Sequence, residues 1–319
     1  MATSGSVDFS VTRTQIIRQA ALLIGVISSN ETMSAEMSAD FDFALNAMVK
    51  RWSGKEIKVW TIREATLFPA ASQVKYTLSS SSTDHCTETY YETAMAVAGA
   101  ASDATITVDS DDNIADNDHI GILLDDGTLF WTTVNGTPAA NVVTLDAVLT
   151  GAAAIDRPVF TYTTKLVRPL RIPNGEGAVR RYNIAGARDT SIGPPMPRLD
   201  YLSLPNKTQT GTINQVFYDP QLAAGYLYLW SPVATVADLI KFTWHKPIED
   251  FDAAGDNPDL PQEWIDTLIY NLAVVKAPAF GVPTERFAMI KSLANEFLDD
   301  LSGYGRETES VFFGPDTTR

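Results

Sequence analysis

The side chains that could support catalysis are few and scattered in this sequence of 319 residues. An activated serine is often marked by a Gly-x-Ser-x-Gly turn, and no such turn occurs. Phosphate-binding loops need closely spaced glycines, and the nearest candidate, Gly175-Glu-Gly177-Ala-Val-Arg180, lacks the third glycine of the dinucleotide motif. We therefore predict no catalytic and no cofactor-binding residue, and we expect that the protein is not an enzyme.

Metal ligands are equally sparse. Asp109-x-Asp111-x-Asn113 copies the beginning of a calcium loop, but Ile114 stands where that loop requires glycine, and no glutamate follows at its twelfth position. The single cysteine, Cys86, cannot complete a standard zinc site. We predict no metal site, and we interpret the three histidines as surface or satisfied strand residues: His85, His119 and His245.

Charge is distributed unevenly along the chain. The 24 basic and 39 acidic side chains give a formal net charge of −15. Residues 82–164, the acidic segment, hold thirteen acidic side chains and one basic residue, Arg157, and so carry −12 of that charge. General phosphate binding is excluded, because it requires clustered lysine and arginine. Such an abrupt change in charge composition along the chain indicates an inserted module.

A basic strip follows the acidic segment directly, and Glu176 is the only acidic residue between its ends. Single charges are most simply explained as solvated surface, but the opposition of two patches requires an explanation. The strip consists of Lys165, Arg168, Arg171, Arg180, Arg181 and Arg188.

Helical periodicity dominates both ends of the chain. Apolar residues recur at helical spacing over 12–28, and the Ser34 cap begins a second predicted helix that should pack on the first as a hairpin. Near the other end, one helix is predicted between Asp259 and Pro278, and another after the Thr284 cap.

Between these predicted helices, apolar residues recur at every second position, which is typical of strands. Short strands are expected throughout the acidic segment, including a hairpin at the Asp125-Asp126-Gly127 turn. The stretch 166–172 is also expected to be a strand. Alternating aromatic residues predict that 226–230 and 240–244 form an antiparallel pair, and we interpret those aromatic side chains as core.

Together these patterns predict an α+β fold. It has a helical-bundle core of amino- and carboxy-terminal helices with antiparallel β strands, plus an inserted small all-β domain, either a sandwich or a barrel. We predict a discontinuous core of residues 1–81 and 165–302, an insertion domain at 82–164, and an extended tail at 303–319. No apolar run reaches the ~18 residues that a bilayer requires. We predict no secretory signal and expect synthesis in a reducing cytoplasm.

Three groups of segments outside the acidic segment occur in a distinctive order. They lie in the N-terminal hairpin, in the aromatic strands, and before the last helix: Thr14–Ile27, Ser34–Glu36 and Ala44–Trp52; Tyr226–Pro232 and Ile240–Asp252; Asp256–Trp264, Leu272–Ala273 and Ala277–Gly281. Jointly they resemble the head-to-tail adaptor family of tailed bacteriophages, in particular the connector or tail tubular proteins of short-tailed phages. The resemblance covers residues 12–80 and 165–302.

The resemblance implies a structural virion protein without catalytic residues or cofactors. Such proteins form a homo-oligomeric ring, usually of twelve copies, at the head-tail junction, and they are assembled in the host cytoplasm. The ring binds the portal protein, extends the DNA channel, and receives the tail or nozzle proteins. Genomic DNA passes through it without sequence-specific binding, and no membrane is involved.

A ring closes when one head-to-tail contact repeats, so each subunit needs two complementary patches. The acidic segment and the basic strip are the candidate patches. We hypothesise that Arg180, Arg181 and Arg188 contact the adjacent subunit, and that Phe312 and Phe313 of the tail either fold back or dock on another subunit or the portal.

Two other functions are weighed against the connector. A tail or baseplate component could bind a surface glycan through aromatic residues of the acidic segment, although core packing explains them more simply. A cell-wall hydrolase would need two carboxylates flanking a groove, and nothing in the sequence places such a pair. The aromatic candidates are Tyr90, Tyr91, Phe130 and Trp131.

Overall fold

The computed structural model describes residues 9–54 and 59–304. It confirms the mixed α+β class, with five α-helices and several antiparallel sheets among these residues. The described residues before Ile62 and those from Pro247 onward form a helical unit, and Ile62–Lys246 form a β unit. An insertion with boundaries at 82 and 164 stays a prediction.

The helices are α1 (Arg13–Ile24), α2 (Ala35–Ser53), α3 (Arg198–Ser203), α4 (Ile265–Lys276) and α5 (Thr284–Tyr304). The strands up to the acidic segment's end are β1 (Ile62–Leu67), β2 (Lys75–Leu78), β3 (Cys86–Thr87), β4 (Tyr91–Ala94), β5 (Thr105–Thr107), β6 (His119–Leu123), β7 (Leu129–Thr133), β8 (Val142–Thr144) and β9 (Pro158–Tyr162). The later strands are β10 (Val179–Asn183), β11 (Arg188–Ser191), β12 (Gln215–Pro220), β13 (Gly225–Trp230) and β14 (Asp238–His245).

The helices α1 and α2 begin where the sequence predicts, whereas α4 begins only at Ile265, after a short 3₁₀ turn at Gln262–Trp264, and not directly after Asp259. The Thr12 hydroxyl accepts a hydrogen bond from the Gln15 amide while the Gln15 side chain accepts one from the Thr12 amide, which is a capping box. The Ser34 hydroxyl caps α2 by accepting from the Met37 amide at 3.2 Å. Gly25, at φ +78°, ends α1 in the left-handed conformation that glycine tolerates.

One hydrophobic core holds the helical unit together, and α4 contacts each of the other three helices of that unit. Apolar faces of α1, α2, α4 and α5 supply the core, which explains the helical spacing of their apolar residues. The segment after Pro247 is fixed to α2 by Asn46, whose side chain donates to the Phe251 carbonyl at 3.1 Å and accepts from the Phe251 amide at 3.0 Å.

The β unit contains a five-stranded antiparallel sheet in the order β11-β10-β14-β1-β3 and a three-stranded sheet in the order β12-β13-β2. The two sheets share one core, to which β13 contributes Leu227 and Leu229 and β14 contributes Phe242 and Trp244. The sheets therefore pack face to face through these side chains.

The predicted pairing of the two aromatic strands is wrong, because β13 and β14 lie in different sheets. The face of β14 was predicted correctly, since Phe242 and Trp244 are fully buried. On β13 the leucines face the core, and the aromatic rings are only half-buried. One of them, Tyr228, packs on Phe217 of β12.

The predicted strand at 166–172 is also absent from the described structure. Leu166 and Ile172 are buried, which explains the apolar pattern. Pro169 lies between them and has no amide hydrogen to offer a ladder, and its carbonyl accepts a hydrogen bond from the Tyr218 hydroxyl at 2.5 Å.

Within the acidic segment, a four-stranded sheet in the order β4-β9-β6-β7 and the β5-β8 pair enclose a core of their own. The hairpin of β6 and β7 confirms the predicted Asp125-Asp126-Gly127 turn, with Gly127 at φ +81°. The first residues of the segment belong elsewhere, because Cys86 and Thr87 extend the five-stranded sheet by pairing with β1.

Candidate functional site

The two adjacent arginines of the basic strip lie on β10 and have acidic partners within their own chain. The Arg180 guanidinium forms an ion pair with Glu64 and lies 3.8 Å from an Asp189 carboxylate oxygen. The Arg181 Nε atom lies 3.3 Å from an Asp238 carboxylate oxygen. Any contact of these arginines with a neighbouring subunit must therefore share or exchange existing partners.

Arg188 lies in a different setting. It belongs to β11, an edge strand of the five-stranded sheet whose four residues are all exposed. An edge strand also presents unpaired backbone groups to its surroundings. Of the three arginines predicted to contact a neighbour, Arg188 is therefore the most accessible one.

Two further members of the basic strip contact backbone carbonyls. The Lys165 ammonium donates to the Ser82 carbonyl at 2.6 Å, and burial lowers the pKa of Lys165. Arg168 donates to the Gln221 carbonyl at 3.4 Å. The tail residues Phe312 and Phe313 lie outside the described residues.

The loop that resembles the start of a calcium site is organised around its own chain. Asp111 accepts a hydrogen bond from the Asn141 amide at 3.0 Å, and Ile114 is buried in the core of the acidic segment. Isoleucine therefore fills space at the position where a calcium loop turns on glycine. Within 9–54 and 59–304, no group of three or more potential metal-ligating side chains comes together.

Two histidines that are far apart in sequence are neighbours in the β unit. The ring centroids of His85 and His119 are 5.8 Å apart. His85 stacks on Trp131 at a centroid distance of 3.9 Å, and its Nδ1 atom lies 2.6 Å from the Tyr162 hydroxyl oxygen in a hydrogen bond. Sequence spacing gave no sign of this cluster, because its residues come from different strands and loops.

Burial disfavours the charged form of both histidines in this cluster. The pKa of His85 is lowered to about 3, chiefly by burial and to a smaller extent by the positive charges of Lys165 and of protonated His119. Burial also lowers the pKa of His119. Neutral imidazoles packed against Tyr162 and Trp131 are consistent with the interpretation of these residues as satisfied strand histidines.

The aromatic residues considered for glycan binding are all half-buried. Trp131 packs on Phe68 at a centroid distance of 5.0 Å, and Phe130 packs against the core of the acidic segment. Tyr90 also packs on Phe68, at 5.4 Å. Core packing therefore accounts for much of this set, but Tyr90 and Tyr91 also reach a cavity.

This cavity, of about 540 Å³, opens at the end of the four-stranded sheet where β4 and β6 begin and β9 ends. Its wall contains Tyr90 and Tyr91, and it brings together two carboxylates that the sequence does not pair, Asp112 and Asp118. The Asp112 carboxylate accepts from the Ser110 hydroxyl at 3.0 Å, and Asp118 accepts from the Ala115 amide at 2.8 Å.

Comparison with models of known protein families gives no match. Comparison with curated proteins finds no significantly similar relative. None of the described helices is long and apolar enough to cross a membrane.

Proposed function

We propose that this protein is a structural subunit of the head-tail connector of a short-tailed bacteriophage. It forms a ring, with twelve copies as the expected number, between the portal protein and the tail or nozzle proteins. It acts by extending the DNA channel, and it catalyses no reaction and uses no cofactor. The ring lies in the virion after assembly in the host cytoplasm.

The observation that carries this proposal is the common location of segments that are far apart in sequence. The first group, within Thr14–Trp52, and the third group, within Asp256–Gly281, supply side chains to one core in the helical unit. The segment Ile240–Asp252 leads from β14 to the residues that Asn46 fixes. Tyr226–Pro232, the other part of the second group, lies in and after β13 of the β unit. The first group, the third group and the end of the second group thus meet in the helical unit, which supports reading them together as an adaptor core.

We also propose the finer architecture of this core. The N-terminal and C-terminal helices form the helical bundle, the acidic segment is an all-β domain inserted into the strands of the host, and the residues after α5, 305–319, form a tail that docks on a neighbour or on the portal. Deleting residues 307–319 should then lower occupancy of the protein in assembled particles. Full occupancy would contradict a docking role for Phe312 and Phe313.

Charge supports passage of DNA. A net charge of −15 on each subunit disfavours adhesion of the duplex, because phosphate binding depends on clustered cations. Acidic side chains outnumber basic ones by 39 to 24, and Arg180 and Arg181 are already paired with carboxylates. Genomic DNA is thus a passing cargo rather than a ligand.

Exposed apolar side chains on the β unit are candidates for contacts between subunits. Leu199 and Leu202 on α3 are 76% and 60% exposed, and Leu222, between β12 and β13, is 97% exposed. Leu199 and Leu202 are three residues apart on one helix and so share a face, and contiguous exposed apolar surface is typical of protein interfaces. We propose that these leucines, together with Arg188, contribute to the contact that repeats around the ring.

Negative-stain electron microscopy tests the connector directly. The purified protein is imaged alone and after mixing with the portal protein. A closed annulus, either alone or stacked on the portal, is the expected result. A protein that stays monomeric under both conditions, and leaves the portal unchanged, would refute the proposal.

A second candidate function is a tail or baseplate component that binds a surface glycan. The observation that favours it is the presence of Tyr90 and Tyr91 on the wall of a polar cavity. Imaging separates the two candidates, because only the connector requires a ring. Glycan binding without ring formation would favour the second candidate.

A further inference from the structure

The cavity at the end of the four-stranded sheet has the dimensions of a ligand site. Its volume of about 540 Å³ lies within the range of roughly 300–1,000 Å³ that is usual for small-molecule pockets. It is built on ordered secondary structure, since Tyr91 begins β4 and pairs with Thr161 of β9. We propose that this cavity binds a neutral carbohydrate.

Two polar side chains of the wall are buried with hydrogen-bonding capacity unused. Asp118 is only 3% exposed, and its Oδ1 atom has no hydrogen-bond partner among the described residues. Thr161 is 1% exposed, and its hydroxyl likewise has no partner in the described part of the chain. Buried polar atoms are rarely left unsatisfied, and a water molecule or a ligand hydroxyl that reaches the wall would satisfy these two.

Asp118 is held firmly in place by its neighbours. Its Oδ2 atom accepts from the Ala115 amide at 2.8 Å, and its own amide donates to the Ala115 carbonyl at 3.2 Å. Its carbonyl accepts from the Val134 amide at 2.9 Å. The carboxylate is thus held in the cavity wall with one oxygen that is closed to solvent and lacks a partner among the described residues, and we take this oxygen as the acceptor for a ligand hydroxyl that packs into the wall.

The charges of the wall indicate which class of ligand fits. Asp112 and Asp118 are its charged residues, and no lysine or arginine is found among the described residues that line it. Phosphates, sulfates and carboxylates would be repelled by such a wall. A bare metal ion is not favoured either, since the described residues contain no cluster of three or more ligating groups. A neutral molecule rich in hydroxyl groups matches both observations.

The aromatic side chains of the wall complete the recognition chemistry. Tyr90 and Tyr91 are half-buried, and the part of each side chain that lines the cavity can contact the apolar face of a sugar or form a hydrogen bond with its hydroxyl groups. Burial and the nearby Glu92 raise the pKa of Tyr90 to about 12, so its hydroxyl stays protonated and can donate a hydrogen bond. Carboxylate acceptors and tyrosine rings on one wall are well suited to a sugar ring.

This inference deepens the second candidate function, and it does not depend on ring formation. A connector ring that carries such a site on each subunit would display many copies of it, and weak binding at single sites would then add up through multivalency. The ring is tested by imaging and the sugar site by solution binding, so failure of one does not affect the other.

The experiment uses the full chain and a panel of disaccharides. The neutral members contain glucose, galactose or N-acetylglucosamine, and the anionic members are sulfated or sialylated. Saturation-transfer NMR detects binding, and titration calorimetry measures affinity. We expect saturation transfer to at least one neutral disaccharide and none to the anionic ones. Absence of binding to every neutral member at millimolar concentration, or preference for anionic members, would overturn the proposal.

Matched variants locate the binding. Asp118→Asn keeps an acceptor for the Ala115 amide but removes the charge, and it should weaken binding about tenfold or more. Asp156→Asn is the control, because it makes the same change at an exposed residue outside the cavity wall. Equal affinity of the two variants would overturn the assignment of the site.

Thr161→Val provides an independent readout of the same site. Removing a buried hydroxyl that lacks a protein partner should leave the melting temperature unchanged or raise it. The same change should weaken sugar binding several-fold. A variant that is equally stable and binds equally well would show that the ligand does not contact Thr161, and this result too would overturn the assignment.

Discussion

The link between α2 and the segment after Pro247 offers the sharpest test of the helical unit. Asn46 contacts both backbone groups of Phe251, a residue that is only 3% exposed. Asn46→Ala leaves the Phe251 amide without its acceptor, and an unsatisfied buried donor costs about 2 kcal/mol. The carbonyl loses less, since it also accepts from Arg13 at 3.2 Å.

The net effect follows from these contributions. Loss of the hydrogen bond to the Phe251 carbonyl costs about 0.5 kcal/mol more. The better helix propensity of alanine offsets this cost by a similar amount. We therefore expect Asn46→Ala to lower the free energy of unfolding by about 2 kcal/mol. For a unit of this size that corresponds to a fall in melting temperature of about 8 °C.

Circular dichroism at 222 nm is the appropriate assay, because four of the five described helices belong to the helical unit. Asn295→Ala, at an exposed position in the interior of α5, is the matched control. It should be neutral or slightly stabilising because alanine favours helix. If Asn46→Ala melts at the same temperature as Asn295→Ala, the inferred role of Asn46 is wrong.

Three other predictions concern the β unit. Gly121→Ala should destabilise it by about 1–3 kcal/mol in urea titrations, because the added Cβ would lie 2.7 Å from the Trp131 ring; an unchanged midpoint would contradict the packing described. The lowered pKa of His85 means that the unfolded state binds the extra proton between pH ~6.5 and about 3, so stability should fall as pH decreases through this range. His85→Gln should reduce that pH dependence, and parallel curves for variant and native protein would show that His85 does not cause it. Arg188→Glu should lower ring yield in sizing chromatography more than Arg51→Glu, an equal charge change at an exposed position on α2; equal yields would exclude β11 from the subunit contact.

The helices could be predicted because their signals are local. The Ser34 cap and the spacing of Phe41 and Leu45 are set within one or two turns, and the structure places both apolar residues in the core. The hairpin around Gly127 was predictable for the same reason. Capping and turn chemistry act over a few residues, so they can be read directly from the sequence.

Strand pairing was harder to predict because it is not local. Alternation along β13 indicates a strand, but it does not say whether Tyr228 or Leu229 faces the core. That choice depends on the neighbours, β12 and β2, which meet β13 only in the folded state. The same limitation explains why the predicted pairing of 226–230 with 240–244 is wrong.

The cavity could not be predicted for a related reason. Its residues come from three separate stretches, around Tyr90, around Asp118 and around Thr161. The one local signal, the Asp109-x-Asp111-x-Asn113 pattern, suggested calcium, although Ile114 already argued against it. What unites the site is the meeting of strand ends, which sequence spacing does not encode.

The burial of Cys86 has a practical consequence. The thiol is enclosed at the edge of the five-stranded sheet, and burial raises its pKa, so the reactive thiolate is scarce at neutral pH. We therefore expect Cys86 of the native protein to react slowly with thiol reagents. A cysteine introduced on the surface, for example at Arg188, would be the dominant target for maleimide dyes or bifunctional cross-linkers, and covalent ladders could then count the copies in an assembly.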